Sequence, residues 1–382
     1  MRSGGFSPSA LFAGDAEGVW YESSDLSTLF QLSDGTTPVT AASDPIGYMG
    51  DKSGNGNHAT QATAARRLTY QTGPARATVD NVDDRLPMTV PVGGFTGTMV
   101  LATDQGTASY GVTIPAGAYD IGGRGGLYFP GTALVGQLIR DGALSATEAA
   151  DTEAHFVANG ATASYGAVTD FGSYWRNWAE LTSFPLIDTS AGTDFSLAWF
   201  GCTGLTSFPL IDTSSGTDFN SAWRNCPGLT SFPLIDTSSG TTFNTAWFGC
   251  TGLTSFPLID TSSGTDFSNA WRSCTGLTSF PLINTSLGAN FALAWFGCTG
   301  LTSFPANAFD SIKGGNFADA FTNTALTETS IDNVLVSLVA SGINAGTRVF
   351  DQSGGSAPSA TGEAAITTLR ARGWTVTVTG GF

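Results

Sequence analysis

The sequence is short of positive charge. Its 382 residues include 15 Lys and Arg against 31 Asp and Glu, which gives a net charge of −16 at pH 7. Because nucleic-acid binders need a basic face to meet the phosphates, we expect no nucleic-acid partner. The chain has only two lysines, Lys52 and Lys313, and two histidines, His58 and His155. The chain therefore has few side chains for a metal site with several histidine ligands or for a catalytic lysine or histidine base. We predict a protein without a catalytic site.

Long apolar runs are missing too. No run approaches the ~20 residues of a membrane-spanning helix, and the first residues lack the apolar stretch of about 7–15 residues that marks a secretory signal. We therefore expect neither membrane insertion nor export through such a signal. The chain is nevertheless 41% hydrophobic and contains 49 glycines, a composition that suits many short strands joined by tight turns. This composition indicates a mainly β fold.

A 24-residue repeat builds the middle of the chain. Trp and Phe recur with this period, and the block LTSFP begins at residues 181, 205, 229, 253, 277 and 301. A fixed period of about 20–29 residues with Leu, Phe and Ile at set positions is typical of leucine-rich-repeat solenoids. We predict such a solenoid over 165–326, preceded by a β-sandwich over 1–160 and followed by a small α/β capping region over 327–382. In the capping region we expect helices near 331–340 and 362–371 and strands near 346–350 and 374–379.

Each repeat is predicted to contain a strand, a turn and a helical arc. Residues 277–280 (LTSF) suit a short parallel strand, which Pro281 ends because proline has no N–H to donate to a neighbouring strand. The helical arc is predicted from Phe267, Trp271 and Cys274, whose spacing places them on one face of a helix or 3₁₀ segment.

The same segment carries a family resemblance. Ala270-Trp271-x-x-Cys274-x-x-Leu277 resembles the A-F-x-x-C-x-x-L signature of the treponemal, or BspA-like, leucine-rich repeat, with Trp in place of Phe. The resemblance covers about residues 170–326 and recurs in register along them. Proteins of that family are mostly surface-exposed adhesion and interaction modules, so the resemblance implies such a role here.

A second resemblance lies at the N-terminal end. Residues 18–70 resemble the opening of concanavalin-like (laminin-G-like) jelly-roll domains of phage tail and fibre proteins, and residues 138–160 resemble their end. Ser145 and Glu148 form a capping box for a helix over about 145–158. The predicted strands of this region include 97–103, 110–117 and 126–132.

Several polar or reactive side chains form columns one repeat apart. The cysteines are 202, 226, 250, 274 and 298. They either form disulfides or bind a metal, or they are small buried core residues. Their odd number and their parallel arrangement favour the core interpretation. The aspartates are 188, 212, 236 and 260 in one column, and 194, 218 and 266 in another. They either bind calcium or accept local hydrogen bonds in turns.

A loop near the N-terminus is also a candidate either for calcium binding or for a hydrogen-bonded turn. Asp51, Ser53, Asn55 and Asn57 surround two glycines and offer oxygen atoms to a calcium ion. The loop lacks the bidentate glutamate that closes an EF-hand, and a glycine-rich turn fixed by Asx hydrogen bonds is the favoured interpretation. We therefore predict no cofactor, with calcium as the one candidate.

The residue after each repeated tryptophan alternates between arginine and phenylalanine. The six residues are Arg176, Phe200, Arg224, Phe248, Arg272 and Phe296. Because they follow a core tryptophan, we expect them to point outward and stack into a stripe. Exposed aromatic residues and arginines are what interfaces use, so this stripe is our candidate binding surface; the alternative is that it only stabilises the fold.

Together these features predict a non-enzymatic virion protein of a tailed bacteriophage, a tail fibre or receptor-binding adhesin. It would be assembled in the host cytoplasm and exposed on the particle surface. The N-terminal domain would bind other virion proteins, and the solenoid would bind a host-surface glycan or protein. The alternatives are a capsid decoration or head-fibre protein, a bacterial surface adhesin and a polysaccharide depolymerase. A homo-oligomer stays open, although no coiled-coil heptad is visible.

Overall fold

The protein is described from a computed structural model, and the chain divides into two compact units. The first comprises residues 1–167 and 177–188, and the second comprises residues 168–176 and 189–382. The second unit therefore contains most of the predicted solenoid together with the whole predicted capping region. The structure describes residues 8–13, 16–64, 67–72, 75–78, 86–90, 95–103, 107–114, 117–121, 133–141, 144–158, 161 and 165–382.

The first unit is built mainly of strands. These are β1 (Gly18–Glu22), β2 (Leu29–Phe30), β3 (Pro45–Ile46), β4 (Tyr48–Met49), β5 (Ala59–Thr60), β6 (Leu68–Gln71), β7 (Arg76–Thr78), β8 (Leu86–Val90), β9 (Phe95–Thr103), β10 (Thr107–Ile114), β11 (Gly117–Ile121), β12 (Ala133–Asp141) and β13 (Leu181–Ser183). Its helices are α1 (Ala146–Ala158) and the 3₁₀ segments Pro8–Phe12 and Leu26–Thr28.

One antiparallel sheet of eight strands organises this unit. Its order is β13-β10-β9-β12-β7-β6-β3, and β1 also pairs with β12. Smaller sheets join β8 to β11 and β2 to β4 and β5. Phe156 of α1 packs in one core cluster with Trp20, Val100 and Leu138, which come from three neighbouring strands of the large sheet.

Part of the local sequence-based expectations for this unit can be compared with the structure. Strands β9 and β10 confirm the predictions at 97–103 and 110–117, whereas the predicted strand 126–132 lies outside the described residues. The capping box is also confirmed. The Ser145 N–H donates to the Glu148 carboxylate at 2.8 Å, and the Glu148 N–H donates to Ser145 Oγ at 3.2 Å.

The second unit repeats one backbone pattern every 24 residues. Along 195–201 the N–H groups of alternate residues donate to carbonyls of the next repeat at N···O distances of 2.8–2.9 Å, as the Trp199 N–H does to Ala222. Between them, the N–H groups of Ala198 and Phe200 donate to the carbonyl three residues earlier, and the Ser196 N–H donates to the Asp194 carboxylate at 2.7 Å. Each repeat has two residues with left-handed backbone, four positions apart, such as Leu197 with φ of 58° and Gly201 with φ of 73°.

The predicted helical arc is therefore wrong. In an α-helix each N–H donates four residues back along the same chain, and in a 3₁₀-helix it donates three residues back. Here every second N–H donates to the next repeat, so neither kind of helix forms. Phe267, Trp271 and Cys274 are all fully buried, as their spacing predicted. The left-handed residues in this segment turn the backbone, so the three side chains face the interior together although no helix forms.

The predicted strand at 277–280 is wrong as well. Only an isolated parallel bridge, between Ser279 and Ser303, forms at this block. The spacing of the rings between repeats differs along these blocks. The Phe280 and Phe304 rings, beside the bridge, lie 5.4 Å apart, and the corresponding rings of the earlier blocks lie 5.8–6.0 Å apart. On this side the Phe208 and Phe232 rings lie 6.0 Å apart, whereas the Trp199 and Trp223 rings of the same repeats lie 5.3 Å apart. Backbone hydrogen bonds near the wider side are correspondingly long, at 3.3–3.4 Å between successive threonines of the blocks from 205 to 277.

The end of the second unit continues the stack as a parallel sheet. Its elements are β14 (Gly315–Phe321), α2 (Glu328–Ala340), β15 (Arg348–Gln352), α3 (Ala360–Ala371) and β16 (Thr375–Thr377). Phe317 stacks on Phe291 at 4.7 Å and Phe321 on Trp295 at 4.9 Å, so β14 occupies the place of a further repeat. Strands β14, β15 and β16 pair in parallel in that order. The two helices and two strands predicted after residue 330 are confirmed.

Candidate binding ladder

The buried aromatic columns hold the candidate surface in place. The tryptophans at 175, 199, 223, 247, 271 and 295 are fully buried, and each stacks on the next at 5.3–5.6 Å with ring planes within 7°. The residue that follows each of them is therefore carried at a fixed interval along the outside. The expectation that the tryptophan column is core is confirmed.

The six residues after these tryptophans form a continuous series of cation–π contacts, which we call the Arg–Phe ladder. Arg176 lies 5.0 Å from the centroid of Phe200, and Arg224 lies 5.5 Å from Phe200 and 4.7 Å from Phe248. The last contacts place Arg272 at 5.5 Å from Phe248 and 4.8 Å from Phe296. The structure thus brings all six predicted residues together.

The ladder is only partly shielded from solvent. Arg176 is exposed, and the remaining five side chains are half-buried. Arg272 Nη1 donates to Asn269 Oδ1 at 3.2 Å. None of the three arginines forms an ion pair with a residue that the structure describes, and the Nε atoms of Arg224 and Arg272 are buried without an acceptor among those residues. Their positive charge is therefore not neutralised within the described protein.

Charge is segregated between different columns of the repeat region. From residue 165 to residue 300 the only lysines or arginines are the three of the ladder. The aspartates lie in other columns, where their carboxylates accept local hydrogen bonds. Asp212 accepts from the Ser214 N–H at 3.0 Å, and Asp218 accepts from the Asn220 N–H at 2.8 Å. These bonds favour the turn interpretation of the aspartate columns over calcium binding.

The cysteine column lies in the interior. All five cysteines are buried and form no disulfide, and each thiol donates to the carbonyl of a tryptophan in the preceding repeat, as Cys250 does to Trp223 at 3.0 Å. Burial raises the pKa of the Cys250 thiol to about 12. A protonated, enclosed thiol is a poor nucleophile and a poor metal ligand, so the geometry supports the core interpretation.

The calcium candidates of the N-terminal loop are also brought together. The Asp51 carboxylate accepts hydrogen bonds from the N–H groups of Trp20, Ser53 and Asn57 at 2.9–3.0 Å and from Ser53 Oγ at 2.8 Å. The Asn55 and Asn57 amides donate to a carbonyl at the start of β1 at 3.1 and 3.2 Å. Because these groups already bind each other, the geometry favours a turn that is fastened to β1.

A buried ionic cluster in the first unit was missed by sequence reasoning. Lys52 Nζ lies 2.8 Å from oxygens of both Glu22 and Asp25 and 4.3 Å from the Trp20 ring centroid, and His155 Nε2 lies 3.3 Å from Glu22. Burial opposes ionisation of Glu22, but hydrogen bonds from His155 and Lys52 outweigh it and lower its pKa to about 2. No sequence pattern marks this cluster because its members come from β1, from loops at Asp25 and Lys52 and from α1.

An exposed leucine column was missed as well. Leu210, Leu234, Leu258 and Leu282 are 63, 61, 61 and 50% exposed. A signal for this column exists, because the blocks read Phe-Pro-Leu-Ile and the Phe and Ile face the interior. The intervening leucine is therefore directed to solvent in each repeat.

Among the described residues, no helix has both the length and the apolar character needed to cross a membrane. Within the same residues, no group of three or more His, Cys, Asp or Glu side chains is arranged to hold a metal ion. No protein-family model, curated protein or solved structure shows a significant match to the chain.

Proposed function

We propose that the chain is a non-enzymatic virion protein of a tailed bacteriophage, a tail fibre or receptor-binding adhesin. In this proposal residues 1–160 form a jelly-roll-like β-sandwich that attaches to other virion proteins. Residues 165–326 form a leucine-rich-repeat solenoid that recognises a glycan or protein on the host surface, and residues 327–382 shield its last repeat. The protein is assembled in the host cytoplasm and exposed on the particle.

The observation that carries this proposal is the Arg–Phe ladder. Its arginines are held between aromatic rings on a stack of buried tryptophans, so their positions are set before any ligand arrives. A site that is ordered in advance loses less conformational entropy on binding. Arginine and aromatic residues are also the residue types enriched at the energetic centres of interfaces.

The repeat region supports the proposal in a second way. Each repeat is joined to the next by backbone hydrogen bonds and by three aromatic columns, so it offers one surface many times in register. Repetition of this kind suits attachment to a host surface that is itself repetitive, since several weak contacts then act together.

Binding of the full chain to bacterial cells tests this function. We expect the labelled chain to bind some strains of a panel and not others, and we expect Arg224→Ala combined with Arg272→Ala to weaken that binding while the chain still folds. Lys313→Ala, which removes an exposed positive charge outside the ladder, is the matched control. Absence of binding to every strain, or equal binding by the ladder variant, contradicts the proposal.

The position on the particle needs its own measurement. Gold-labelled antibodies raised against the full chain are applied to tailed phage particles that carry the gene and viewed by electron microscopy. Label at the tail supports the proposal, and label spread over the capsid favours the decoration alternative. Particles without label contradict a virion role.

A further inference from the structure

The class of ligand that suits the Arg–Phe ladder depends on whether the faces or the edges of its phenyl rings are accessible. An aromatic ring carries negative potential on its faces and positive potential at its edge. The Phe200 ring has Arg176 at 5.0 Å and Arg224 at 5.5 Å from its centroid, and the Phe248 ring has Arg224 at 4.7 Å and Arg272 at 5.5 Å. The faces of these two rings are thus taken up by guanidinium groups.

The outer surface of the ladder is consequently positive along its length. Guanidinium N–H groups alternate there with the positive edges of phenyl rings, and no described carboxylate forms an ion pair with the three arginines. Stacking of a neutral sugar on the phenyl faces is disfavoured because those faces are occupied. An anion, by contrast, meets favourable groups on every repeat from Arg176 to Phe296.

The spacing of the charges favours an extended ligand. The two distances on either side of Phe200 place the guanidinium groups of Arg176 and Arg224 about 10 Å apart, and Arg272 continues the row at a similar interval. A single small anion can pair with only one of them. An extended peptide repeats its side chains on one face at about 6.6 Å, because each residue advances about 3.3 Å and alternate side chains point away. That spacing does not match the row.

Hydroxyl groups lie beyond the three phenylalanines of the ladder and beyond one of its arginines, Arg272. Three residues beyond a ladder position lie exposed threonines at 203, 251, 275 and 299. Threonine hydroxyls donate and accept hydrogen bonds and so suit the hydroxyl groups of sugars.

Taking the proposed function of the ladder as given, we infer that its ligand is a linear acidic polysaccharide that carries one carboxylate, sulfate or phosphate group per repeating unit. The three arginines pair with successive acidic groups, and the phenyl rings between them hold the guanidinium groups at the interval of those groups.

The test measures binding of the full-length chain to defined polymers by fluorescence anisotropy. The probes are polygalacturonate for carboxylate, dextran sulfate for sulfate and poly(glycerol phosphate) for phosphate, with neutral dextran and poly-glutamate as comparisons. We expect at least one acidic polysaccharide to bind, and we expect binding to weaken as salt is raised because the charges are screened. Arg224→Gln should weaken binding about tenfold, the effect of one lost charge-assisted hydrogen bond.

Controls separate the ladder from general charge. Lys313→Gln removes the same charge from an exposed position outside the repeats and should leave affinity within about twofold, since its charge is screened from the ladder. If Arg224→Gln lowers the melting temperature, Arg176→Gln replaces it, because Arg176 is the exposed arginine of the ladder. Equal binding of neutral dextran, stronger binding of poly-glutamate, or an equal loss with Lys313→Gln overturns the inference.

Cell binding is scored in the same preparations. If the chain binds cells through the ladder but no acidic polysaccharide binds or competes, the inference on ligand class is overturned while the proposed function stands. If an acidic polysaccharide binds the ladder but no strain of the panel is bound, the ligand class is supported and the role as a host adhesin is contradicted.

Discussion

At the scale of single residues, the thiols show how completely the repeats enclose their interior. Burial raises the pKa of Cys250 and of Cys298 to about 12, and both donate to tryptophan carbonyls at 3.0 Å. We predict that none of the five cysteines of the folded chain reacts with a disulfide reagent at pH 8 and that all five react in guanidinium. Spectrophotometric thiol titration measures this.

A cysteine placed on the surface provides the control for that titration. Thr251 is exposed and directly follows Cys250, so Thr251→Cys should add one thiol that reacts at once in the folded chain. Rapid reaction of two or more native thiols would show that the column opens readily and would contradict the enclosed arrangement.

Glu22 gives the first unit a specific dependence on pH. Although its side chain is only 4% exposed, hydrogen bonds from His155, Lys52 and Ser24 lower its pKa to about 2, below the value of about 4.3 in an unfolded chain. The stabilisation is therefore complete above pH ~4.3 and is lost as the pH falls through about 2.

Calorimetry of the full chain and of Glu22→Gln between pH 2 and pH 6 measures this effect. We expect the variant to melt lower at pH 6 and the difference between the two chains to shrink as the pH approaches 2. Glu17→Gln, at an exposed position, should leave the melting temperature and its dependence on pH as they are in the unmodified chain. A difference that stays constant with pH would mean that Glu22 acts by packing alone.

At the scale of the repeat, the backbone is left-handed directly after each ladder position. The residue after each ladder position has positive φ and alternates between Asn or Ser and Gly, as at Asn225 (59°), Gly249 (74°) and Ser273 (60°). A Cβ on Gly249 would lie 2.6 Å from Asn225 Oδ1. The glycine therefore makes room for the asparagine of the repeat before it, and this alternation accompanies that of Arg and Phe.

This pairing predicts opposite effects for two substitutions. Ser273→Gly relieves left-handed strain and should raise the free energy of unfolding by about 0.5–1 kcal/mol. Gly249→Ala adds both strain and the contact with Asn225 and should lower it by about 1–2 kcal/mol or more. Denaturant unfolding followed by tryptophan fluorescence compares them, and a loss of stability in both variants would refute the role given to the left-handed positions.

At the scale of the whole molecule, the C-terminal region closes the stack of repeats. The N–H groups of Phe291, Leu293, Trp295 and Gly297 donate to residues of 316–322, and Phe317 and Phe321 cover the rings of the last repeat. Without this region those rings and N–H groups would face water. An open end of this kind offers a template for pairing with another chain.

Truncation tests the closing role. A chain ending at Gly300 should self-associate, and light scattering after size exclusion should show species larger than those of the full chain. Removal of 380–382 alone, which leaves β14, β15 and β16 intact, should not do so. A truncated chain that keeps the size and melting temperature of the full chain would contradict the closing role.

Much of the repeat region is predictable because it is periodic. Residues one period apart occupy equivalent environments, so each column of tryptophan, phenylalanine or cysteine was expected to share one environment, and the interior was the favoured one. Phe317 and Phe321 follow Phe291 and Trp295 by 26 residues, two more than the period, and both rings still join their columns. The Arg–Phe ladder followed from the same reasoning, because a residue adjacent to a core tryptophan is carried to the outside.

The sequence by itself thus determined the register, the core columns and the ladder. Only the tertiary structure decided the backbone between them. Hydrogen bonds between repeats are 2.8–2.9 Å long near Trp199, whose ring lies 5.3 Å from the next one, and 3.3–3.4 Å long between successive threonines on the side of Phe208, whose ring lies 6.0 Å from the next one. These contacts join different repeats, so the pattern of a single repeat does not contain them. The cluster of Lys52, Glu22 and His155 was likewise decided by the tertiary fold, because periodicity and local propensity carry no information on contacts between separate, unrepeated segments.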